Sequence, residues 1–181
     1  VGLKQLLALK STKRTGWLRA GVDAAQCESV ADHAFHVVLF AALFADESLD
    51  RATVIDMAIA HDLAETLVGD LTPSDCSRAE KTERERAAMI SLCSALPNGQ
   101  RWLELWETYE RQESPEAKFV RTIDRAEMAW QAALYEREEN IGSRSFQTSA
   151  ERDAEPAAFH RLNAMIADVC RRFGASKSDA S

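Results

Sequence analysis

The stretch Ile59–Asp75, IAHDLAETLVGDLTPSD, decides how the rest of the chain is read. Its first half joins helix-forming residues to apolar positions and places His61, Asp62 and Glu65, an imidazole and two carboxylates, within about one helical turn. The pattern predicts a helix over 51–67 on which His61 and Glu65 share a face and Asp62 is turned by about 100°. A cation beside that helix could take a histidine nitrogen and an aspartate oxygen from adjacent residues, with Glu65 close by but not bound. Gly69 is the expected left-handed C-cap, and Asp70, Thr72, Pro73, Ser74 and Asp75 make a polar loop able to border a site.

The neighbouring segments are also helical in pattern. Ser29, with Asp32 three residues on, predicts a capped helix over 29–46 whose Val37, Phe40, Ala41 and Phe44 form an apolar stripe. His36 on that stripe reads as a core histidine, whereas His33, in the first turn, is a candidate ligand. Ser114 and Pro115 are a strong helix start, and the apolar positions that follow predict a long buried helix to Arg137 or beyond. Asp124 lies in its middle, where a carboxylate is costly to bury unless paired or bound to metal. Between them, 79–96 reads as a charged helix with a solvated face, Pro97–Gly99 as a turn, and 100–112 as a helix whose Trp102, Leu105, Trp106 and Tyr109 are core.

Residues 3–10 suit a short amphipathic helix, and 11–29 read as an ordered loop carrying Arg14, Trp17 and Arg19. Guanidinium groups suit phosphate oxygens and an indole suits a sugar or base; the alternative is that Trp17 plugs the core edge and both arginines are solvated. A mobile loop is expected over 140–149, a last helix over 155–173, and a single domain over 1–175 with a disordered tail at 176–181. No repeat, glycine-rich phosphate loop or strand-like alternation is found, so the fold class is all-α.

With 46% hydrophobic and 28% charged residues the composition is that of an ordinary globule. A net charge of -7 argues against nucleic acid polymers and anionic membranes as partners but leaves room for a small phosphorylated substrate. Cys27, Cys76, Cys93 and Cys170 are scattered without a C-x-x-C pair and read as reduced thiols. The apolar run 34–45 is too short to span a membrane, and no secretory leader is read at the start. The expected location is the cytoplasm.

The chain has no G-x-S-x-G elbow and no cysteine close in sequence to a histidine. It does carry His33, His61, Asp62 and Asp124 on three separate predicted helices. Two imidazoles and two carboxylates suit one divalent ion such as Mn²⁺, Fe²⁺, Co²⁺ or Zn²⁺, and suit Mg²⁺ or Ca²⁺ less well. Such an ion could acidify a water and polarise a phosphoryl oxygen.

This order, a histidine, a His-Asp pair and a distant aspartate on an all-α chain, resembles the HD-domain metal-dependent phosphohydrolases. ESVADHAFHV, AHDLAETLVGDLTPSD and SPEAKFVRTIDRAEM, together with RTGWLR and AEKTERERAAM, are similar to the 5'-deoxynucleotidase branch over roughly Lys10 to Glu139. The resemblance implies a single HD-domain helical bundle with one metal site formed by His33, His61, Asp62 and Asp124, hydrolysing deoxyribonucleoside 5'-monophosphates. It also implies a catalytic role for Glu65, sugar contact by Asp70, and discrimination against the 2'-hydroxyl by Trp17. Some bacterial members carry arginine immediately before that tryptophan, where this chain has Gly16, so phosphate binding falls to Arg14, Arg19 or Lys118. Two-metal relatives need extra histidines, and none lies between His61 and His160. The family makes a homodimer the expected assembly. The competing readings are action on another small phosphoester and a non-catalytic nucleotide-binding scaffold.

Overall fold

A computed structural model describes residues 3–139 and 156–178, and these are all-α apart from one isolated bridge between Lys13 and Ser29. Helices α1 (Leu3–Leu6), α2 (Thr15–Ala20), α3 (Val30–Phe44), α4 (Arg51–Ala60) and α5 (Glu65–Val68) precede α6 (Arg78–Cys93), α7 (Gly99–Arg111), α8 (Pro115–Glu139) and α9 (Pro156–Ser178). The expected 140–149 loop lies outside the described residues, as do 179–181 of the expected tail, whose residues 176–178 are instead helical, since α9 runs past the expected end at 173 to Ser178.

Local chemistry sets most of the helix starts. Ser29 and Asp32 form a reciprocal capping box on α3, and Ser77 with Glu80 forms a second on α6. Asp50 accepts from the amide of Ala52 at the head of α4, and Ser114 Oγ accepts from that of Ala117 at the head of α8. The turn between α6 and α7 requires glycine, since a Cβ at Gly99 would fall 1.8 Å from the carbonyl oxygen of Cys93.

Helix α8 is the central element, packed against α3, α4, α7 and α9, while α4 also packs on α3 and α7. Val37 and Ala41 of α3, Val54 and Met57 of α4, Leu92 of α6, Trp106 of α7, and Val120 and Ile123 of α8 meet in one buried core. A smaller cluster joins Trp17, Val22 and Cys27 to Met128, Ala132 and Tyr135 further along α8. Asp124 lies on α8 between Ile123 and Ala126 of the first cluster, one turn before Met128 of the second.

Four expectations about local structure are corrected. The 3–10 helix is interrupted at Leu7 and continues as a 3₁₀ turn over Ala8–Lys10. The 11–29 segment contains α2, whose first free amide, that of Thr15, donates to the Asp70 carboxylate at 2.5 Å. The 51–67 helix ends at Ala60, and residues 61–64 form tight turns in which Glu65 donates to the Asp62 carbonyl and Leu67 to that of Ala64. Gly69 does end α5 with positive φ, but at φ 75°, ψ 176° it is extended and not left-handed helical, a region open essentially to glycine alone.

Candidate active site

The tight turn at 61–64 matters because three-residue spacing, unlike four, makes side chains eclipse. It bonds the Glu65 amide to the Asp62 carbonyl at 3.0 Å, where an uninterrupted helix would have bonded it to that of His61. His33, buried in the first turn of α3, and Asp124 of α8 complete the group. The Nε2 atoms of His33 and His61 lie 3.5 and 3.4 Å from the same oxygen, Oδ2 of Asp62. Asp124 Oδ1 is 3.4 Å from His33 Nε2.

The orientation of each ring shows what the group lacks. His61 Nδ1 donates to the carbonyl of Ala58 at 2.7 Å, and His33 Nδ1 faces the Glu127 carboxylate at 2.6 Å, so both rings turn Nε2 inward. Those two nitrogens and Asp62 Oδ2 are buried and have no hydrogen-bond partner. Two imidazole lone pairs and an anionic oxygen converging in a buried space repel one another unless a cation sits among them. His33, His61 and Asp62 form a group able to hold a metal ion, with ligand atoms within 4.8 Å of one another. A proton is the other cation that fits. Burial and Arg14 act against a charged His33, but Glu127 and Asp124 outweigh them and raise its pKa to about 10. Metal and proton therefore compete for one nitrogen.

Glu65 lies beside this group, buried, with Oε2 unpartnered and Lys81 Nζ 3.7 Å from Oε1. Burial, reinforced by the Asp62 charge and only partly offset by Arg14, raises its pKa well above the usual carboxylate range. Lys81 is also 3.2 Å from Glu85 and donates to the Leu71 carbonyl. Tyr109 donates to Asp124 Oδ2 at 3.1 Å and stacks edge-on with His61.

The remaining sequence candidates separate into different settings. Arg14 pairs with Asp70 at 3.0 Å and lies 3.8 Å from Asp62, and both Arg14 and Asp70 line a cleft of about 1270 Å³ whose wall also includes His61, Asp62, Glu65 and Asp124. Trp17 lines the same cleft yet is only 3% exposed, with its indole N–H donating to Glu28 at 2.8 Å and Tyr135 packed edge-on at 5.5 Å. It is both a core plug and a wall of the cavity. Lys118 is exposed and reaches the rim. Arg19 is not among the residues lining the cleft; it clamps Asp75 with two hydrogen bonds of 3.0 and 2.6 Å and also donates to Thr72. Its place is that of a fastener between α2 and the 72–75 loop.

Glu127, Tyr109, Lys81 and Glu28 were not foreseen in the site. Glu127 had a signal, being a second carboxylate one turn after Asp124 on a helix read as largely buried. Tyr109 was concealed in an aromatic core pattern and Lys81 in a charge run, where neither residue type is unusual.

Comparison with known proteins gives a consistent picture. The HD domain family matches residues 6–161. The 5'-deoxynucleotidase HDDC2 of Bos taurus is 43% identical over 135 residues, covering 73% of this chain and 65% of that protein. The 5'-deoxynucleotidase YGK1 of Saccharomyces cerevisiae is 37% identical over 139 residues, covering 73% and 64%. The chain thus spans a little under two thirds of these relatives' lengths. The crystal structure of the PH0347 protein from Pyrococcus horikoshii OT3 is similar with a TM-score of 0.75 at 30% identity, covering 88% of this chain and 94% of that one.

Proposed function

The chain belongs to the HD domain family, and from that membership we propose that it is a metal-dependent 5'-deoxynucleotidase, hydrolysing deoxyribonucleoside 5'-monophosphates to deoxynucleoside and phosphate. The observation that carries this reading is the convergence of His33 Nε2, His61 Nε2 and Asp62 Oδ2, buried and unpartnered, beside Glu65 in a cleft large enough for a nucleotide. His33, His61, Asp62 and Asp124 would hold one divalent ion, with Mn²⁺, Fe²⁺, Co²⁺ or Zn²⁺ better suited than Mg²⁺ to the mixed nitrogen and oxygen donors. When bound, such an ion supplies a Lewis acid that polarises the phosphoryl group and acidifies water.

The chain's own residues do the remaining work. Glu65, whose Oε2 is unpartnered beside the candidate metal group, is placed to accept the proton of the attacking water once a cation is bound there, and its raised proton affinity suits return of that proton to the leaving 5'-oxygen. Asp70 holds Arg14 and the Thr15 amide but, as a carboxylate with about four acceptor sites, retains capacity for a sugar hydroxyl. Trp17 cannot swing aside, being fixed by Glu28 and Tyr135, so its face meets the sugar as a rigid wall.

Purified protein is expected to release phosphate from deoxynucleoside monophosphates faster than from ribonucleotides, and only with added divalent metal. Replacing Trp17→Ala should narrow the sugar preference by about tenfold or more. Release unaffected by chelator would defeat the metal-dependent reading, and equal rates on both sugars in the wild type would remove the sugar assignment.

A homodimer and a cytoplasmic location complete the proposal. Phe35, Leu39 and Leu43, four residues apart on α3, are 63%, 37% and 63% exposed and form an apolar stripe that a second copy could cover. Light scattering should give twice the 20.1 kDa of the chain and the monomer mass for Leu43→Glu; a monomeric wild type would dismiss the assembly. Cys27, Cys76 and Cys93 are free thiols, and no helix among the described residues is long and apolar enough to cross a membrane.

A further inference from the structure

A phosphate monoester needs a cationic partner besides the metal, and the cleft offers Arg14, Arg78, Lys81, Lys118, Arg121 and Arg125. Most are already engaged or lie at the rim. Arg14 is held by Asp70 at 3.0 Å, with Asp62 and Glu28 within 4.0 Å. Lys81 is held by Glu85 and the Leu71 carbonyl. Arg121 lies over the Tyr109 ring, 4.5 Å from its centroid, with Glu110 3.7 Å away. Arg78 and Lys118 are exposed.

Arg125 differs from all of these. Its Nε is buried without a hydrogen-bond partner, its nearest carboxylate oxygen, Asp124 Oδ2, is 3.8 Å away, and its Nη1 has only the Met128 sulfur at 3.8 Å. A thioether is a weak acceptor, and a buried Nε–H left without a partner is costly, while the side chain as a whole is 22% exposed. The side chain bridges two parts of the cleft, since Asp124 belongs to the candidate metal group and Met128 packs in the cluster that holds Trp17. That is the position a 5'-phosphate would occupy, between a metal ion and a sugar resting on the indole. Once Asp124 directs its charge to a cation, the guanidinium beside it matches an oxyanion, which it can grip with two parallel N–H donors.

We propose that Arg125 is the phosphate-anchoring residue, donating to the nonbridging oxygens of a phosphate monoester held at the His33, His61, Asp62 and Asp124 group, in place of the Arg14, Arg19 and Lys118 expected from sequence. The inference rests on the deoxynucleotidase reading for its substrate but can be tested without turnover. Full-length wild type, Arg125→Gln and Arg125→Met are loaded with Mn²⁺, their metal content is measured, and inorganic phosphate is titrated in by calorimetry alongside KM for a deoxynucleoside monophosphate. Both variants should keep wild-type metal content and helical signal, while phosphate affinity weakens and KM rises, each on the order of tenfold or more. The methionine variant preserves the stem's packing beside Met128 should the glutamine variant misfold. Wild-type phosphate affinity in either folded variant overturns the proposal, as does parallel loss of metal, which would make Arg125 a support for Asp124. If the wild type hydrolyses no monophosphate but its phosphate affinity still depends on Arg125, the proposed activity fails and the anchoring role stands.

Discussion

Asp62→Ala is expected to abolish metal binding and turnover together. Its Oδ2 lies within 3.5 Å of both inward-facing imidazole nitrogens, so its loss removes the anion that both of them face. Asp124 remains 3.4 Å from His33, and it already accepts from Tyr109. Bound metal should fall from one equivalent to none, and the rise in melting temperature that metal gives the wild type should vanish, because only a ligand that binds the folded state stabilises it. A Lewis acid is worth several kcal/mol of transition-state stabilisation, so the rate should drop by about 10³-fold or more. A variant that still carries a full equivalent of metal would mean that the ion is held elsewhere.

Glu65→Gln should separate chemistry from metal binding. The substitution keeps the shape of the side chain in its buried position beside Lys81 while removing the ability to take or return a proton. Turnover is expected to fall by roughly 10²- to 10⁴-fold, the usual contribution of a positioned acid or base, with metal content unchanged. The expectation follows from the role proposed for Glu65, which lies beside the candidate ligands with Oε1 3.7 Å from Lys81 and is not assigned to hold the ion. Loss of metal in this variant would make Glu65 a ligand, and an unchanged rate would leave the proton to another group.

How much of this could be read from the chain depends on the range of the interactions involved. The α3 and α8 starts were legible because Ser29 with Asp32, and Ser114 with Pro115, act across three residues or fewer. The break after Ala60 was not, since 61–64 contains neither proline nor glycine and its residues suit a helix. Six-residue α2, with Gly16 inside it, is too short to announce itself and depends on Asp70, far along the chain, accepting from the Thr15 amide. Arg19 shows the same limit from the other direction. Its type suited phosphate, and only its two bonds to Asp75 reveal that it fastens a loop.

From the sequence alone came the all-α class, the helix caps, and the short set of histidines and carboxylates able to meet a cation, because residue type and helical period are local properties. Tertiary structure decided which of those groups face one another with unshared electron pairs, and which cleft cations remain uncommitted. The physical reason is that ring orientation is set by Ala58 and Glu127, and the pairing of each arginine by carboxylates on other elements. The packing of α3, α4 and α8 brings these partners together, and no pattern along a single helix encodes it.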